Sequence, residues 1–302
     1  AKAGKHVICT KPLTAYVGQD LPPDQSAALT PRADMLRRAL ADADAMNAAA
    51  QENGVQLMYG ENWVYAPSIV RAEGLILKSG GAILEMRGGE SHSGSHSPYS
   101  KQWRNTGGGA LIRLGAHPIG AMLHLKAQEG IARSGQPIYP VAVSAEVGDT
   151  SRIAPEPKIA TGWVDVENWA SALLTFSDGS HGIVYASDGV LGGMESKLEI
   201  FLSNSQFKCN LSPNNLLQAY APDASVFGDA YIMEKIDSGA GWTTPIPDED
   251  WSSGHAAMIQ DFVSSLAENR PAKSDGRLGR AVIEVVYAAY LAAASGQRVA
   301  IP

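Results

Sequence analysis

The sequence lacks the features that mark several protein classes. It has only two cysteines in 302 residues, Cys9 and Cys209, so a disulfide framework is not expected and a reducing compartment such as the cytoplasm is favoured. No apolar run approaches the roughly 18 residues that a membrane span needs. The net charge of -7 is opposite in sign to a nucleic-acid-binding surface. We therefore expect a cytoplasmic protein with neither a nucleic-acid nor a membrane partner.

A dinucleotide-binding loop of the Gly-x-Gly-x-x-Gly type is also missing. Gly107, Gly108 and Gly109 have the wrong spacing, and no suitable strand immediately precedes them. Such a loop lets the backbone and a helix N-terminus approach a pyrophosphate. The chain as given is therefore expected to bind a dinucleotide poorly or not at all. Residues 1–6 are typical of the end of a helix that stops at Gly4, so we expect a preceding segment.

The first sixty residues alternate between strand and helix patterns. Residues 6–10 and 55–59 are short β-rich runs, and a helix between them is expected to begin at Thr30-Pro31 and stop at Gly54. This order predicts the last units of a parallel, doubly wound sheet. We expect residues 1–62 to be the C-terminal part of a dinucleotide-binding domain.

Residues 63–302 are expected to form a substrate-binding and oligomerisation domain of the α+β class. Helix patterns at 65–79 and about 109–126 flank a strand at 82–86 and a long loop at 88–108. Short alternating runs then predict a large, mainly antiparallel open-faced sheet with flanking helices, at 140–148, 169–177, 181–187, 197–203 and 206–211. The final helix, 277–295, is expected to pack back on the first domain. An open sheet face often pairs with another subunit, so a homodimer or homotetramer through the sheet is expected.

Four segments, in order, resemble the Gfo/Idh/MocA family of glucose-fructose oxidoreductases and inositol dehydrogenases. The first is Ala3–Pro12, similar to the family's "AGKHVLCEKP". The second is Gly107–Leu111 followed by Gly115–His117, similar to "GGGaLxDxGxH". The others are the hairpin at 169–179 and the C-terminal stretch 275–302. The resemblance spans almost the whole chain apart from the N-terminal part of the nucleotide-binding domain.

The resemblance implies an oxidoreductase that moves a hydride between NAD or NADP and a sugar, polyol or related cyclic alcohol. It makes Lys11 and His117 the expected catalytic residues, with Lys11 beside both nicotinamide and substrate. A histidine suits proton transfer near neutral pH, and a lysine ammonium can orient the hydroxyl or stabilise negative charge. Taken alone, His117 would more simply be a packing residue and Lys11 a surface lysine.

Two positions depart from the family pattern. The usual Glu before the lysine is Thr10, and the usual Asp one helical turn before the histidine is Arg113. Arg113 cannot act as a base, so we expect it to grip an anionic substrate group, to accompany altered chemistry, or to be paired with a neighbouring acid.

Further binding residues are predicted from their places in the pattern. Trp103 and Arg104 resemble a position that contacts substrate or cofactor, and Pro12 follows the lysine on the cofactor side. Asn62 and Trp63, after the second strand, are expected to line the substrate pocket.

A metal site is not expected. His92 and His96 are four residues apart, which is compatible with zinc, but no suitably placed partners complete a site. Two rival functions remain open. One is a non-catalytic member that binds a sugar or a protein partner, which Thr10 and Arg113 would favour. The other is a lyase or epimerase that uses bound nicotinamide transiently.

Overall fold

Two parallel strands begin the fold. The computed structural model describes residues 1–154, 156–212, 217–233, 235–236, 238–245 and 248–301. Strand β1 (Val7–Thr10) pairs in parallel with β2 (Leu57–Gly60), and Thr10 lies opposite Gly60. Helix α1 (Arg32–Glu52) connects the strands. This βαβ unit confirms the expected parallel sheet in the first part of the chain.

Several expected boundaries in this unit were wrong by a residue or more. Ala1–Gly4 form a single turn, in which the Gly4 amide donates to the Ala1 carbonyl, rather than a helix end. Helix α1 begins at Arg32, just after the expected start at Thr30-Pro31, and the Thr30 hydroxyl contacts the Tyr16 hydroxyl. Helix α2 (Pro67–Ser79) begins after 65 because residues 62–65 form a 3-10 turn.

A seven-stranded sheet forms the larger part of the molecule. Its strands are β3 (Ile83–Ser91), β4 (Pro140–Gly148), β5 (Trp169–Phe176), β6 (His181–Ser187), β7 (Glu195–Leu202), β8 (Gln206–Asn210) and β11 (Val299–Ala300). Their spatial order is β11-β4-β5-β6-β3-β7-β8, and every pair is antiparallel except β3 with β6. The mainly antiparallel sheet with flanking helices is therefore confirmed.

Strand β3 extends five residues beyond the expected 82–86. It runs through Gly88 and Gly89 into what the sequence suggested was a loop. These glycines are needed for close contacts: a Cβ on Gly88 would meet the Met122 side chain at 3.1 Å, and one on Gly89 would meet the Tyr185 ring at 2.2 Å. The strand thus carries Glu90 and Ser91 into the middle of the molecule.

The helix that contains His117 is also longer than expected. A π-helical turn (Leu111–Gly115) leads into α4 (Ala116–Ser134), which ends at Gly135 rather than near Lys126. Helix α3 (Trp103–Thr106) is a single turn before it. Helix α4 packs against β3 and contributes most of its length to the core.

The last long helix, α7 (Gly276–Ser295), packs against α1 and β4. It is long and apolar enough to span a membrane by length and composition, but 61% of its most apolar window is buried inside the molecule. We therefore interpret α7 as a core helix. One hydrophobic cluster joins Met35 and Tyr59 to Leu174 and Tyr287, and the division of domains at residue 62 stays a prediction.

The segment between the sheet and α7 contains β9 (Ala219–Ala221), β10 (Gly241–Thr243), α5 (Glu249–Ser252) and α6 (His255–Ala267). Strands β9 and β10 form a small antiparallel pair. Pro302, the last residue of the fourth segment that resembles the family, lies outside the described residues.

Candidate active site

A cavity of about 570 Å³ opens at the carboxyl ends of the two parallel strands. Thr10, Lys11 and Gly60 form this side of its wall. Other walls come from Glu90 on β3, His117 on α4, and the α5–α6 region that includes His255. Ligands of open α/β sheets bind at the carboxyl ends of strands, so this is the expected position for a functional site.

His117 is almost completely buried in the cavity wall, with 7% of the residue exposed. Its Nδ1 atom lies 2.8 Å from Oε1 of Glu61, and its ring stacks on Trp63 with 13° between the planes. Burial lowers the pKa of His117 to about 3, and the Lys11 ammonium adds to this effect. The imidazole is thus neutral and oriented, with Nε2 as the nitrogen that remains for a ligand.

Glu61 follows β2 directly and lies behind His117. The Trp63 amide donates to Oε1 at 3.2 Å, and Oε2 has no hydrogen-bond partner among the described residues. Burial raises the pKa of Glu61 to about 8, although the Trp63 amide and the Lys11 charge lower it. When the pair loses one proton, Glu61 accepts from Nδ1–H and Nε2 becomes a base.

Sequence reasoning did not identify Glu61. One signal was available: Glu61 comes immediately after β2, just as Lys11 comes immediately after β1. Parallel strands end at the same edge of a sheet, so both residues could have been assigned to one site. The contact with His117 could not have been found in this way, because it joins residues 56 positions apart.

Lys11 lies at the end of β1 in the same cavity wall as His117. Its ammonium donates a hydrogen bond to the backbone carbonyl of Arg113, one turn before the histidine. Burial has the larger effect on three neighbouring groups, because it lowers the pKa of His117 and raises the pKa of Glu61 and Glu90. The Lys11 charge lowers the pKa of each of the three. Pro12 follows through a cis peptide bond and is not part of the cavity wall.

Arg113 is paired with an acid instead of facing the cavity. Its guanidinium forms an ion pair with the fully buried Asp188 and lies 5.3 Å from the centre of the Trp163 ring. The cavity wall does not include it. Of the three expectations for Arg113, the structure shows the one in which its guanidinium is paired with a neighbouring acid.

Trp103 and Arg104 lie away from the cavity. Trp103 is buried, its indole N–H donates to the Tyr16 carbonyl, and its ring packs on Tyr290. Arg104 donates to the backbone carbonyls of Gly18 and Gln25 and so holds the loop after β1. In this structure both side chains stabilise the first part of the chain, and their predicted ligand contacts stay predictions.

Asn62 and Trp63 do line the cavity, as expected for residues after β2. Both are buried, and the Asn62 amide donates to the Ser253 carbonyl at 2.7 Å. Asn62 therefore ties the strand end to the α5–α6 region, while Trp63 supports the ring of His117.

The two loop histidines do not come together as metal ligands. His92 is buried, accepts a hydrogen bond from the Gly94 amide, and lies 3.5 Å from Asp188, whereas His96 is exposed. Within the described parts of the chain, no group of three or more His, Cys, Asp or Glu side chains is arranged to hold a metal ion.

Glu167 fixes the start of the helix that carries His117. Its buried carboxylate accepts hydrogen bonds from the Gly109 and Leu111 amides and from the Tyr290 hydroxyl. A Cβ on Gly109 would lie 1.9 Å from the Glu167 carbonyl oxygen. The glycine triplet therefore allows close packing against Glu167 and Tyr290.

The chain is similar to one known protein family and to several solved structures. The family model of the GFO/IDH/MocA C-terminal domain matches residues 77–208. Comparison with curated protein sequences gives no match. Among solved structures, GenD2 from gentamicin A biosynthesis, in complex with NAD, is 25% identical with a TM-score of 0.74, over 100% of this chain and 73% of that chain.

Two further structures share the fold at lower identity. Levoglucosan dehydrogenase, in complex with NADH and L-sorbose, is 21% identical with a TM-score of 0.66, over 100% of this chain and 74% of its own. The aldose-aldose oxidoreductase from Caulobacter crescentus, complexed with glycerol, is 19% identical with a TM-score of 0.58, over 99% of this chain and 73% of its own.

Proposed function

We propose that the chain is a Gfo/Idh/MocA-type oxidoreductase that uses NAD or NADP on a CH–OH group of a sugar, polyol or related cyclic alcohol. One observation carries the proposal. Lys11 and the Glu61–His117 pair meet in one cavity at the carboxyl ends of parallel strands. The similar structures with bound NAD or NADH support the choice of cofactor.

The Glu61–His117 pair transfers the proton of the substrate hydroxyl. In the oxidation direction, Nε2 of His117 accepts the hydroxyl proton while Glu61 holds Nδ1 and compensates the imidazolium charge as it forms. Trp63 keeps the imidazole plane fixed by stacking. In the reduction direction the same nitrogen returns the proton to the carbonyl oxygen.

Lys11 stabilises negative charge on the reacting oxygen. Its ammonium lies at the strand end, held by the Arg113 carbonyl, so its position is set before the substrate arrives. A preorganised cation in a buried site stabilises an alkoxide more strongly than water does. Burial lowers the pKa of His117, and the Lys11 charge lowers it further, so the imidazole is neutral in the resting site.

The cavity fits the nicotinamide end of the cofactor. When bound, the nicotinamide accepts or supplies the hydride. Ile8 on β1 lines the cavity and is 52% exposed, so it offers an apolar surface to a flat ring beside Lys11. No Gly-x-Gly-x-x-Gly motif occurs in the 302 residues, so we assign no residue of this chain to the pyrophosphate.

The departures from the family pattern do not argue for a non-catalytic protein. Arg113 removes a carboxylate one helical turn before His117, but Glu61 supplies one from the end of β2 at 2.8 Å. His117 therefore still has a carboxylate partner, which comes from Glu61 instead of position 113. Two free cysteines are compatible with the cytoplasmic location that we propose.

The proposal is tested with His117→Gln. We expect kcat/KM for the alcohol to fall by about 10²–10⁴, the usual contribution of a general acid or base, because the proton acceptor is lost. NADH formation by the full-length protein from a panel of sugars and polyols, followed at the nicotinamide absorbance band, is the measurement. The exposed His181→Gln on β6 is the matched control and should keep the wild-type rate. Equal rates for His117→Gln and wild type would contradict the proposal.

A further inference from the structure

A second buried carboxylate faces the cavity from the sheet side. Glu90 lies on β3 between β6 and β7, opposite Ala186 and Ser196, and is 6% exposed. Among the described residues, its one side-chain hydrogen bond is a long contact of 3.4 Å from the Ser196 hydroxyl to Oε2. A carboxylate in the middle of a sheet with so little compensation is costly, which makes a structural role alone a poor explanation.

The charges around the cavity do not balance. Glu61 and Glu90 are both buried, and Lys11 is the cation that acts on both. Burial raises the pKa of Glu90, although the Lys11 charge lowers it. When Glu90 is ionised and the Glu61–His117 pair has lost its proton, the two carboxylates exceed the one ammonium by one charge. A cationic group on the ligand would remove this excess where the dielectric constant is low.

The residues at the cavity rim also carry negative charge. Glu249 and Asp250, at the start of α5, line it, and Lys11 is the one lysine or arginine among its described lining residues. Arg113 could have bound an anionic substrate, but its guanidinium is paired with Asp188 and it is not part of the cavity wall. The lining therefore favours a cationic over an anionic ligand.

We propose that Glu90 determines specificity for a substrate that carries an ammonium group, that is, an amino sugar or an aminocyclitol. The Glu90 carboxylate binds the ammonium, and a hydroxyl of the same ring faces Nε2 of His117. This inference rests on the proposed function for the identity of the site, and it adds the chemical class of the substrate.

Binding of matched probes tests the inference without requiring turnover. D-glucosamine is compared with D-glucose, and streptamine with scyllo-inositol, by calorimetry on the full chain at neutral pH. Wild type should bind at least one amine about tenfold or more tightly than its hydroxyl counterpart, which corresponds to about 1.4 kcal/mol. N-acetyl-D-glucosamine, which has no charge, should lose the preference. Equal affinities within both pairs in the wild type would overturn the inference.

The variant Glu90→Gln keeps the shape of the side chain and removes its charge. We expect the amine-to-hydroxyl affinity ratio to fall to about one, while the hydroxyl probes keep their affinity, because only the ion pair is lost. Glu85→Gln, on an outward-facing position of the same strand, is the control and should keep the wild-type ratio. An unchanged ratio in Glu90→Gln, or a loss confined to NAD+ binding, would assign Glu90 another role and overturn the inference.

Failure of the two proposals can be told apart. If the amine preference depends on Glu90 but no probe yields NADH, the inference on specificity stands and the oxidoreductase proposal fails. If NADH forms from hydroxyl and amine probes with equal kcat/KM and equal affinity, the oxidoreductase stands and the role of Glu90 is rejected.

Discussion

Glu61 and His117 share one proton across a contact that joins two distant parts of the chain. Each group is buried, and burial favours the neutral form of each because it raises the pKa of Glu61 and lowers the pKa of His117. The proton that leaves the pair on deprotonation therefore belongs to the pair, and the apparent pKa of catalysis reports both residues. Lys11 lowers the pKa of both residues, and His255 acts on both in the same direction.

Replacing Lys11 shows the effect of its charge. Its ammonium lowers the pKa of both Glu61 and His117, so Lys11→Met should raise the apparent pKa of the pair. The base form accumulates above this pKa, so the rising part of the pH profile of alcohol oxidation should move to higher pH. Lys11→Arg keeps the charge and should leave it close to the wild-type position. A profile that does not move in Lys11→Met would place Lys11 too far from the pair to act on it.

At this scale the sequence indicated Lys11, Asn62, Trp63 and His117, which all line the cavity, while their roles there stay predictions. The strand ends and the family motifs led to them. The sequence left three roles open for Arg113, because its ion pair with Asp188 depends on where β6 ends in space. Tertiary contacts of this kind leave no local pattern in the sequence.

Among the elements, the helix that carries His117 depends on a carboxylate from outside itself. Glu167, just before β5, accepts the Gly109 and Leu111 amides at the start of the π-helical turn, where the first amides of a helix lack internal partners. The position of His117 at the cavity is therefore set in part by a residue fifty positions away.

Removal of this acceptor should cost stability. In Glu167→Gln one oxygen becomes an amide N–H₂ that faces buried donors, so the free energy of unfolding should fall by about 1–3 kcal/mol. Urea denaturation followed by circular dichroism measures it. Glu146→Gln, at an exposed position on β4, is the matched control and should change little. A stability equal to the wild type would show that the Glu167 hydrogen bonds are not needed for the helix start.

The sequence predicted the existence of these elements better than their ends. Gly88 and Gly89 indicated a loop, yet they continue β3 because Met122 and Tyr185 leave no room for side chains there. Helix α4 runs past Lys126 to Ser134 because the local sequence contains no strong stop before Gly135. For β3 the competing influence is packing, which local propensity does not describe, whereas for α4 the expected end was placed too early.

For the whole molecule, the open face of the large sheet is the predicted interface of a homodimer or homotetramer. Leu173 and Ile183 are cross-strand neighbours on this face and are 44% and 38% exposed. Adjacent apolar side chains that remain accessible are typical of a surface that another subunit covers.

A charge on this face should prevent assembly. Leu173→Glu should reduce the molar mass, measured by size-exclusion chromatography with light scattering, from that of a dimer or tetramer to that of a monomer, because a carboxylate would have to be buried. Leu77→Glu, at a similarly exposed position on α2, should leave the assembly intact. A monomeric wild type, or an assembled Leu173→Glu variant, would contradict the predicted interface.

The most direct measurement is the pH dependence of kcat/KM for alcohol oxidation in wild type and Glu61→Gln. The wild-type rate should rise with pH through an apparent pKa of about 8, because the base form of the Glu61–His117 pair accumulates above it. In Glu61→Gln the carboxylate is absent and His117, with a pKa of about 3, is neutral across the range. The variant should therefore be slower and its rate should not rise near pH 8. A rise that persists unchanged in Glu61→Gln would show that the proton is transferred by a different group.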